Sequence, residues 1–308
     1  MSTYNTACKN RYLKQKFMEK YERIFNEIVK QTGEYCMQYN IKSLVLGLSG
    51  GLDSTVCAAI GKAVYDKYYV KLIGISLPCK TNSDTENSIA RTTGEAFCNE
   101  YKCINIDTLY GATKYLCDTY EGESTHISQG NLKARLRMTI LYNAASINNG
   151  IVIDTDNLSE HYLGFWTIHG DVGDFKPLGK LWKTEVYELA KYLRDMYSTI
   201  IDKYYEDDRY TKAVLAKNAL DQAIKITPTD GNGVSAGGDM AQIAPGYTYN
   251  EVDRVLQYLV SDVPKSDEGW EEIANTYFNG DMEMVDKIID RYIKSKFKRN
   301  TSYVGVIL

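Results

Sequence analysis

The stretch "LVLGLSGGLDSTVCAAIG", residues 44–61, changes character halfway along. An apolar run typical of a buried strand ends at Ser-Gly-Gly (49–51), and a run of small residues with helical character begins after Asp-Ser (53–54). Glycines permit positive φ and let backbone N–H groups approach a ligand closely. A helix that begins at this corner adds its unpaired N–H groups and the positive end of its dipole. The stretch therefore predicts a strand-to-helix corner that binds an oxyanion, with the hydroxyls of Ser49 and Ser54 as further donors.

A carboxylate is unexpected in such a corner, because Asp53 would repel a bare phosphate. Its presence is explained if Asp53 holds a magnesium ion that bridges the phosphates. A plainer interpretation stays open, in which Gly50-Gly51 is only a tight turn and Asp53 is the N-cap of the helix. The stretch does not fit GxxxxGK[ST], so it does not indicate a P-loop nucleoside triphosphatase.

The composition excludes several classes of protein. The 308 residues carry a formal net charge of −4, which argues against a broad nucleic-acid-binding face, since phosphate backbones require clustered cations. Seven cysteines without a CxxC pair, and only three histidines, suggest neither a disulfide framework nor a zinc site. A reducing, cytoplasmic location is therefore expected. Neither a signal peptide nor a membrane span is expected.

Short apolar runs alternate with helical patterns in the first half of the chain. The strands are predicted at 43–49, 71–78, 103–107 and 150–156, and the helices around them at 9–39, 53–66, 83–101, 108–118 and 127–147. This alternation predicts an α/β fold with a parallel sheet covered by helices on both faces, as in Rossmann-like proteins. The second half predicts a helical C-terminal extension, with helices at 180–197, 209–225, 248–261, 267–278 and 281–298. The glycine-rich segment 227–246 has no periodicity.

The corner resembles the SGGxDS PP-loop of the ATP pyrophosphatase (adenine nucleotide alpha hydrolase-like) family. Members of that family cleave ATP between the α- and β-phosphates and transfer AMP to a substrate oxygen. Later segments are similar to those of ammonia-dependent NAD synthetases. They are "GNLKARLRM" (130–138), "DTDNLSEHYLGFWTIHGDVGDFKPLGKLWKTEV" (154–186), "TPTDGNG" (227–233) and "YTYNEVDRVLQYL" (247–259).

The resemblance implies roles for individual residues. ATP contacts are implied for Gly47, Leu48, Ser49, Gly50, Gly51, Leu52, Asp53, Ser54, Thr155, Lys183 and Thr229. Contacts with deamido-NAD are implied for Arg135, Asp174 and Lys298. The implied ligands of Mg²⁺ are Asp53 and Glu160, and the implied catalytic residues are Asp53 and Lys183. Taken alone, Glu160 and Lys183 would be read as ordinary surface residues of helices.

The resemblance also implies a reaction and an assembly. The carboxylate of deamido-NAD attacks the α-phosphate of ATP, and ammonia then converts the adenylate into NAD and AMP. One domain is expected over 1–308, with an N-terminal helix (1–40), an α/β core (41–200) and a mobile loop with C-terminal helices (201–308). No glutaminase domain is expected, so free ammonia or a separate partner supplies nitrogen. A homodimer is implied.

The sequence departs from the family pattern at three places. Ile168 stands where the family has a lysine, the Gly-Asp segment at 170–173 is one residue short, and Phe297 replaces a histidine. Two alternatives therefore stay open: another PP-loop ligase, such as a GMP-synthetase-like enzyme, and a nucleotide-binding protein without catalysis. Lys133, Arg135 and Arg137 alternate along a helix and cannot all share one face, so only one or two of them are expected to point into a site.

Overall fold

The computed structural model describes residues 2–204, 208–229 and 238–299. Within these ranges four strands form one sheet, and every pair of neighbouring strands is parallel. The order across the sheet is β3-β2-β1-β4. The strands are β1 (Ser43–Gly47), β2 (Lys71–Ser76), β3 (Glu100–Cys103) and β4 (Gly150–Ile153).

The helices divide into a set that surrounds the sheet and a set that follows it. The first set is α1 (Ser2–Gln38), α2 (Leu52–Tyr68), α3 (Asp84–Phe97), α4 (Asp107–Glu121), α5 (His126–Ile147), α7 (Lys183–Lys203) and α8 (Asp208–Lys225). The second set is α6 (Leu158–Leu163), α9 (Asp239–Ile243), α10 (Tyr249–Val260), α11 (Asp267–Tyr277), α12 (Met282–Lys294) and α13 (Lys296–Arg299).

The sheet has an apolar layer on each face. Alternate residues of β1 point to opposite sides, so Leu44 and Leu46 belong to one buried cluster and Val45 to another. The first cluster joins the sheet to α1, α2, α3, α7 and α8. The second joins it to α5. Both faces are thus covered by helices, and the predicted fold class is confirmed.

The C-terminal helices form a hydrophobic cluster of their own. Leu163 of α6, Val252 and Leu256 of α10, Phe278 and Ile288 are all buried in it. Because α6 directly follows the strand β4 and also belongs to this cluster, it joins the helical extension to the carboxyl edge of the sheet.

The predicted bounds are wrong around the third strand. The strand is Glu100–Cys103 rather than 103–107, and α3 ends at Phe97 rather than at 101. Glu100 pairs with Ile73, which fixes the register, and the residues of β3 are only partly buried. Because β3 is an edge strand, it needs no continuous apolar run, and the apolar pattern at 103–107 was therefore a misleading signal.

The short helices α6 and α9 were not predicted, since helices of five or six residues carry too little periodicity. The expected helix 281–298 is divided at Ser295. Residues 230–237 of the glycine-rich segment 227–246 lie outside the described residues. Among the described helices, none combines the length and apolar character that crossing a membrane requires.

Candidate active site

The corner between β1 and α2 has the conformation that its glycines permit. Gly50 has φ +83°, and a Cβ there would lie 2.1 Å from the carbonyl oxygen of Glu86, so only glycine fits. Gly51 is the N-cap of α2, and with no side chain it leaves the first N–H groups of the helix available to an anion. The interpretation of Asp53 as the N-cap is therefore wrong, because Asp53 lies inside the first turn.

The two hydroxyls of the corner face each other. Ser49 Oγ lies 3.1 Å from Ser54 Oγ and accepts the Gly51 N–H at 3.2 Å. Ser54 is buried and its hydroxyl also reaches the Gly51 carbonyl at 3.0 Å. These contacts join residues that are close in sequence, so the turn is held in part by its own hydroxyls and backbone.

Three charged side chains meet beside this corner. The Lys183 ammonium at the start of α7 forms ion pairs with the carboxylates of both Asp53 and Glu160, the latter at 3.0 Å. Lys183 is 2% exposed. Burial by itself lowers the pKa of a lysine, but the two carboxylates outweigh it and raise the pKa of Lys183 well above its ordinary value. The ammonium is therefore permanently charged.

The pKa of the Glu160 carboxyl is shifted strongly. Burial raises its pKa to about 7, with the attraction of Lys183 opposing the shift and the repulsion of Asp53 adding to it. Its second oxygen accepts the backbone N–H of Asn157 at 3.2 Å. This carboxyl is therefore protonated in part near neutral pH.

Asn157 is a member of the site that the sequence interpretation missed. It caps α6 by accepting the Glu160 N–H at 3.1 Å, and its amide group donates to Asp53 Oδ1 at 2.9 Å. Asn157 is fully buried. The signal was present, because an Asn three residues before a Glu is a capping-box pattern. The cap places Glu160 and positions Asp53 at the same time.

The residues around this centre form an acidic cavity. Among the described residues that line it, one is a lysine (Lys183) and six are acids: Asp53, Glu86, Asp156, Glu160, Asp171 and Asp239. A triphosphate carries several negative charges, and Coulomb repulsion from these acids opposes its entry. The cavity therefore requires a divalent cation if it is to accept a triphosphate.

The donor set fits magnesium in one particular way. Within the described ranges, no group of three or more His, Cys, Asp or Glu side chains is arranged to hold a metal ion by itself. Asp53 and Glu160 provide two carboxylates on either side of one ammonium. Magnesium is typically held by one or two carboxylates together with substrate phosphates and water. The arrangement fits an ion that arrives with a nucleotide.

A second, mainly apolar cavity adjoins the acidic one. Its walls come from the carboxyl ends of β1, β2 and β4 and from α5, and include Gly47, Leu48, Ile75, Leu77, Met138, Leu141, Val152 and Ile153. The two cavities share Ser49, Thr155 and Asp171. Ligands of open parallel sheets bind at this carboxyl edge. One long ligand with an apolar end and an anionic end fits the pair.

Thr229, for which the resemblance implies an ATP contact, also lines the acidic cavity. Its hydroxyl donates to Glu86 Oε1 at 2.8 Å. The other oxygen of Glu86 accepts the N–H and the hydroxyl of Ser83 at the start of α3. Thr229 is thereby tied to the same helix start whose backbone packs against Gly50.

The three residues implied for deamido-NAD lie apart from these cavities. Arg135 is exposed, and its Nε lies 3.4 Å from the carbonyl oxygen of Ile168. Asp174 accepts the Tyr142 hydroxyl and the Val152 N–H along the edge of β4. Lys298 donates to the Gly164 carbonyl at 2.7 Å and to the Trp166 carbonyl, beside a separate basic concavity. The structure therefore brings together the residues for which the resemblance implies contacts with ATP and the metal, and it leaves these three apart from them. The roles of both groups remain predictions.

Two basic side chains of α5 turn inward, as the alternation predicted. Arg137 donates to the Leu77 carbonyl and to Asn82, and it lines the apolar cavity. Lys133 is buried, with its ammonium 5.1 Å from the centroid of the Tyr110 ring. The resemblance selected Arg135, which is exposed in the structure, and its role stays a prediction.

The comparisons with known proteins agree with this geometry. The sequence model of the NAD synthase family matches residues 24–302. The chain therefore belongs to the NAD synthase family.

Two relatives and one solved structure illustrate the similarity. The NH(3)-dependent NAD(+) synthetase of Methanocaldococcus jannaschii is 38% identical over 179 residues, which are 57% of this chain and 67% of that protein. The enzyme of the same name from Fusobacterium nucleatum is 28% identical over 93% of this chain and 96% of its own length. The structure of NMN synthetase from Francisella tularensis superimposes with a TM-score of 0.68 at 25% identity, covering 94% of this chain and 98% of that one.

Proposed function

We propose that this protein is an ammonia-dependent NAD synthetase, a ligase that uses ATP to amidate deamido-NAD and releases AMP and pyrophosphate. The observation that supports this most directly is the meeting of Asp53, Glu160 and Lys183 at a glycine corner. These residues come from three different elements, and together they suit the phosphates of a magnesium nucleotide.

ATP lies across the two adjoining cavities in this proposal. The adenosine occupies the apolar cavity, because a purine is flat and largely apolar. The phosphates occupy the acidic cavity, where the open N–H groups of α2 and the Lys183 ammonium act on them. Ser49 and Thr155, which line both cavities, then flank the α-phosphate.

The first step forms the adenylate. A carboxylate oxygen of the acceptor attacks the α-phosphorus, a new P–O bond forms, and the bond to the β-phosphate oxygen breaks with release of pyrophosphate. Lys183 and the N–H groups of the corner stabilise the charge on that leaving group. Bound Mg²⁺ would be held by Asp53 and Glu160 and would neutralise phosphate charge. No side-chain nucleophile is required.

The second step forms the amide. Ammonia attacks the acyl carbon of the adenylate, the bond to the AMP oxygen breaks, and the nitrogen loses a proton as AMP departs. An acyl adenylate is hydrolysed if water reaches it, so the site must be closed during this step. We propose free ammonia as the nitrogen donor, supported by the family match over 24–302 and by relatives named for ammonia.

We further propose that the enzyme is a cytoplasmic homodimer with one domain per chain. Apolar side chains are exposed along α4 at spacings of seven and four residues: Leu109, Leu116 and Tyr120. They share one helix face, and Ile127 at the start of α5 is 64% exposed nearby in sequence. A second copy of the chain is the proposed cover for this face. Light scattering that gives the mass of one chain would contradict the dimer.

The residues at the positions implied for deamido-NAD favour a second candidate acceptor. Ile168 replaces the family lysine, and Arg135, Asp174 and Lys298 do not line the two cavities. The similarity to the Francisella NMN synthetase covers nearly the whole chain. Amidation of the corresponding mononucleotide acid is therefore the second candidate, with the same ATP and magnesium chemistry.

The acceptor is tested by incubating the protein with ATP, Mg²⁺ and ammonium, and with one acceptor at a time. Deamido-NAD, nicotinate mononucleotide and xanthosine monophosphate are compared by the AMP and amide product formed. The proposal expects the highest kcat/KM with deamido-NAD. A higher value with the mononucleotide supports the second candidate, and AMP formed only with xanthosine monophosphate contradicts both.

The matched control separates the acceptor question from the ATP site. Ile168→Lys restores the family residue outside the ATP and metal set. We expect a lower KM for deamido-NAD in this variant and an unchanged KM for ATP. Inactivity of both proteins with all three acceptors would contradict the proposal as a whole.

A further inference from the structure

Asp253 is a buried acid that lies outside both cavities and is not among the residues assigned to ATP, magnesium or the acceptor. It is on α10 in the C-terminal extension and is 1% exposed. Burial raises the pKa of its carboxyl, while hydrogen bonds from Ser159 and Thr184 act against that shift. A buried acid is costly unless it is well hydrogen-bonded, so its position requires an explanation.

The carboxylate joins the starts of two helices. Its Oδ1 accepts the hydroxyl of Ser159 on α6 at 2.5 Å. Its Oδ2 accepts both the backbone N–H and the hydroxyl of Thr184 on α7, at 3.1 and 2.8 Å. Ser159 Oγ in turn accepts the backbone N–H of Lys183 at 2.8 Å. Each helix start is therefore held by a residue of a third helix.

These contacts take the place of an N-cap side chain at the start of α7, where Glu185 accepts the Trp182 N–H at 3.3 Å. Its N-cap residue is Trp182, whose side chain makes no capping hydrogen bond. The first two N–H groups of α7 bond instead to Ser159 and Asp253. A carboxylate at this end of a helix also interacts favourably with the helix dipole. Asp253 thus serves as an N-cap for α7, although it lies about 70 residues further along the chain.

The residues next to Ser159 and Thr184 in the sequence are the charged residues of the active site. Glu160 follows Ser159 directly, and Lys183 precedes Thr184. From these contacts we infer that Asp253 is a positioning residue, which holds Glu160 and Lys183 in register with the phosphates. The inference rests on the proposed function, because it assigns Glu160 and Lys183 to the magnesium nucleotide.

Loss of the carboxylate charge tests this role. Asp253→Asn removes the negative charge and replaces one acceptor oxygen by an NH₂ group. This group either meets the Thr184 N–H, itself a donor, or donates to Ser159 Oγ and so reverses the hydrogen bond that the Ser159 hydroxyl makes in the wild type. In either case one link is lost or reversed, and the carboxylate charge at the start of α7 is gone. Because small displacements of catalytic groups are costly, we expect a kcat about 10–100-fold lower and a Kd for Mg·ATP about five-fold weaker.

A matched control separates positioning from general stability. Tyr247→Phe removes a hydroxyl that donates to the Phe278 carbonyl at 3.0 Å, in the same helical cluster but away from α6 and α7. Both variants are assayed well below their melting temperatures. We expect Tyr247→Phe to keep the wild-type kcat and Mg·ATP affinity, with the KM for the acceptor unchanged in both variants.

The outcomes are distinguishable. If Asp253→Asn matches Tyr247→Phe in kcat and in Mg·ATP affinity, the inference is overturned while the proposed function stands. If the wild type binds Mg·ATP but amidates neither pyridine nucleotide acid, the proposed function fails and the binding comparison still decides the role of Asp253. Should Asp253→Asn not fold, Ser159→Ala tests the same link, and a wild-type kcat and Kd in that variant overturn the inference.

Discussion

The two sides of the acidic cavity are built in different ways. One side is the corner between β1 and α2, whose shape follows from consecutive residues, with Gly50 at positive φ and Gly51 as N-cap. The other side is the pair of helix starts at α6 and α7, where partners come from far along the chain. The Lys183 ammonium, for example, pairs with an acid 130 positions away. Local sequence therefore accounts for the first side, and tertiary contacts for the second.

The largest expected effect follows from removing the acid where the two sides meet. Asp53→Asn takes away a carboxylate that pairs with Lys183 and accepts from Asn157. We expect kcat/KM to fall by ~10²–10³, the usual loss when one charge-stabilising group is removed. The rate of AMP formation measures it. Asp66→Asn, on the exposed end of the same helix, is the control and should change the rate less than two-fold. Full activity in Asp53→Asn would contradict the assigned role.

The next effect concerns Glu160, which lies on the side of the acidic cavity that is built by tertiary contacts. Since the pKa of Glu160 lies at about 7 against an ordinary value of 4.5, the folded protein binds more protons than the unfolded chain between these values. The free energy of unfolding of the wild type should therefore fall as pH rises from about 4.5 to about 7. Relative to Glu160→Gln, the decrease should amount to ~3 kcal/mol at most. Chemical denaturation of the metal-free and nucleotide-free protein across this range measures the difference.

Glu271→Gln is the control for this experiment, because Glu271 is exposed on α11. Its stability curve should run parallel to that of the wild type. If Glu160→Gln also runs parallel, burial does not perturb Glu160 as described.

The locally built side is tested by adding a methyl group. Gly50→Ala forces a Cβ to within 2.1 Å of the Glu86 carbonyl oxygen at a φ of +83°. We expect a loss of at least ~2 kcal/mol in the free energy of unfolding, from left-handed backbone strain together with the clash. Gly111→Ala is the matched control: a Cβ there meets no atom within 4 Å, and the helix α4 should gain ~0.5–1 kcal/mol. Equal stabilities of the two variants would show that the corner tolerates a side chain.

The smallest effect concerns the hydrogen bond from Thr229 to Glu86, which joins a distant segment of the chain to the corner between β1 and α2. Thr229→Val removes the hydroxyl that donates to Glu86. The loss of one such hydrogen bond is worth about 1 kcal/mol, so the KM for Mg·ATP should rise about five-fold with little change in kcat. Thr92→Val on α3, whose hydroxyl bonds only its own helix at the Ser88 carbonyl, should leave this KM unchanged. An unchanged KM in Thr229→Val would mean that the contact is incidental.

The parts that sequence predicted well are those with local causes. The strands β1 and β2 are short apolar runs between turn signals, and their burial on both faces follows from that pattern. The apolar run of β4 was predicted too, although only its second half is buried. The corner at 48–54 needed only its glycines and hydroxyls. The edge strand β3 and the short helix α6 were misplaced or missed, since exposed pairing and a single capping box leave little periodicity.

The sequence by itself determined the parallel sheet, the glycine corner between β1 and α2 and the family of this protein, because periodicity, glycine conformations and motif spacing act over neighbouring residues. Only the tertiary structure decided which charges meet. Glu160 and Lys183 look like surface residues of amphipathic helices, yet both are buried against Asp53, and Asp253 holds the helices that carry them. Such contacts depend on how helices pack, and hydrogen bonds across 70–130 residues leave no periodic trace in the chain.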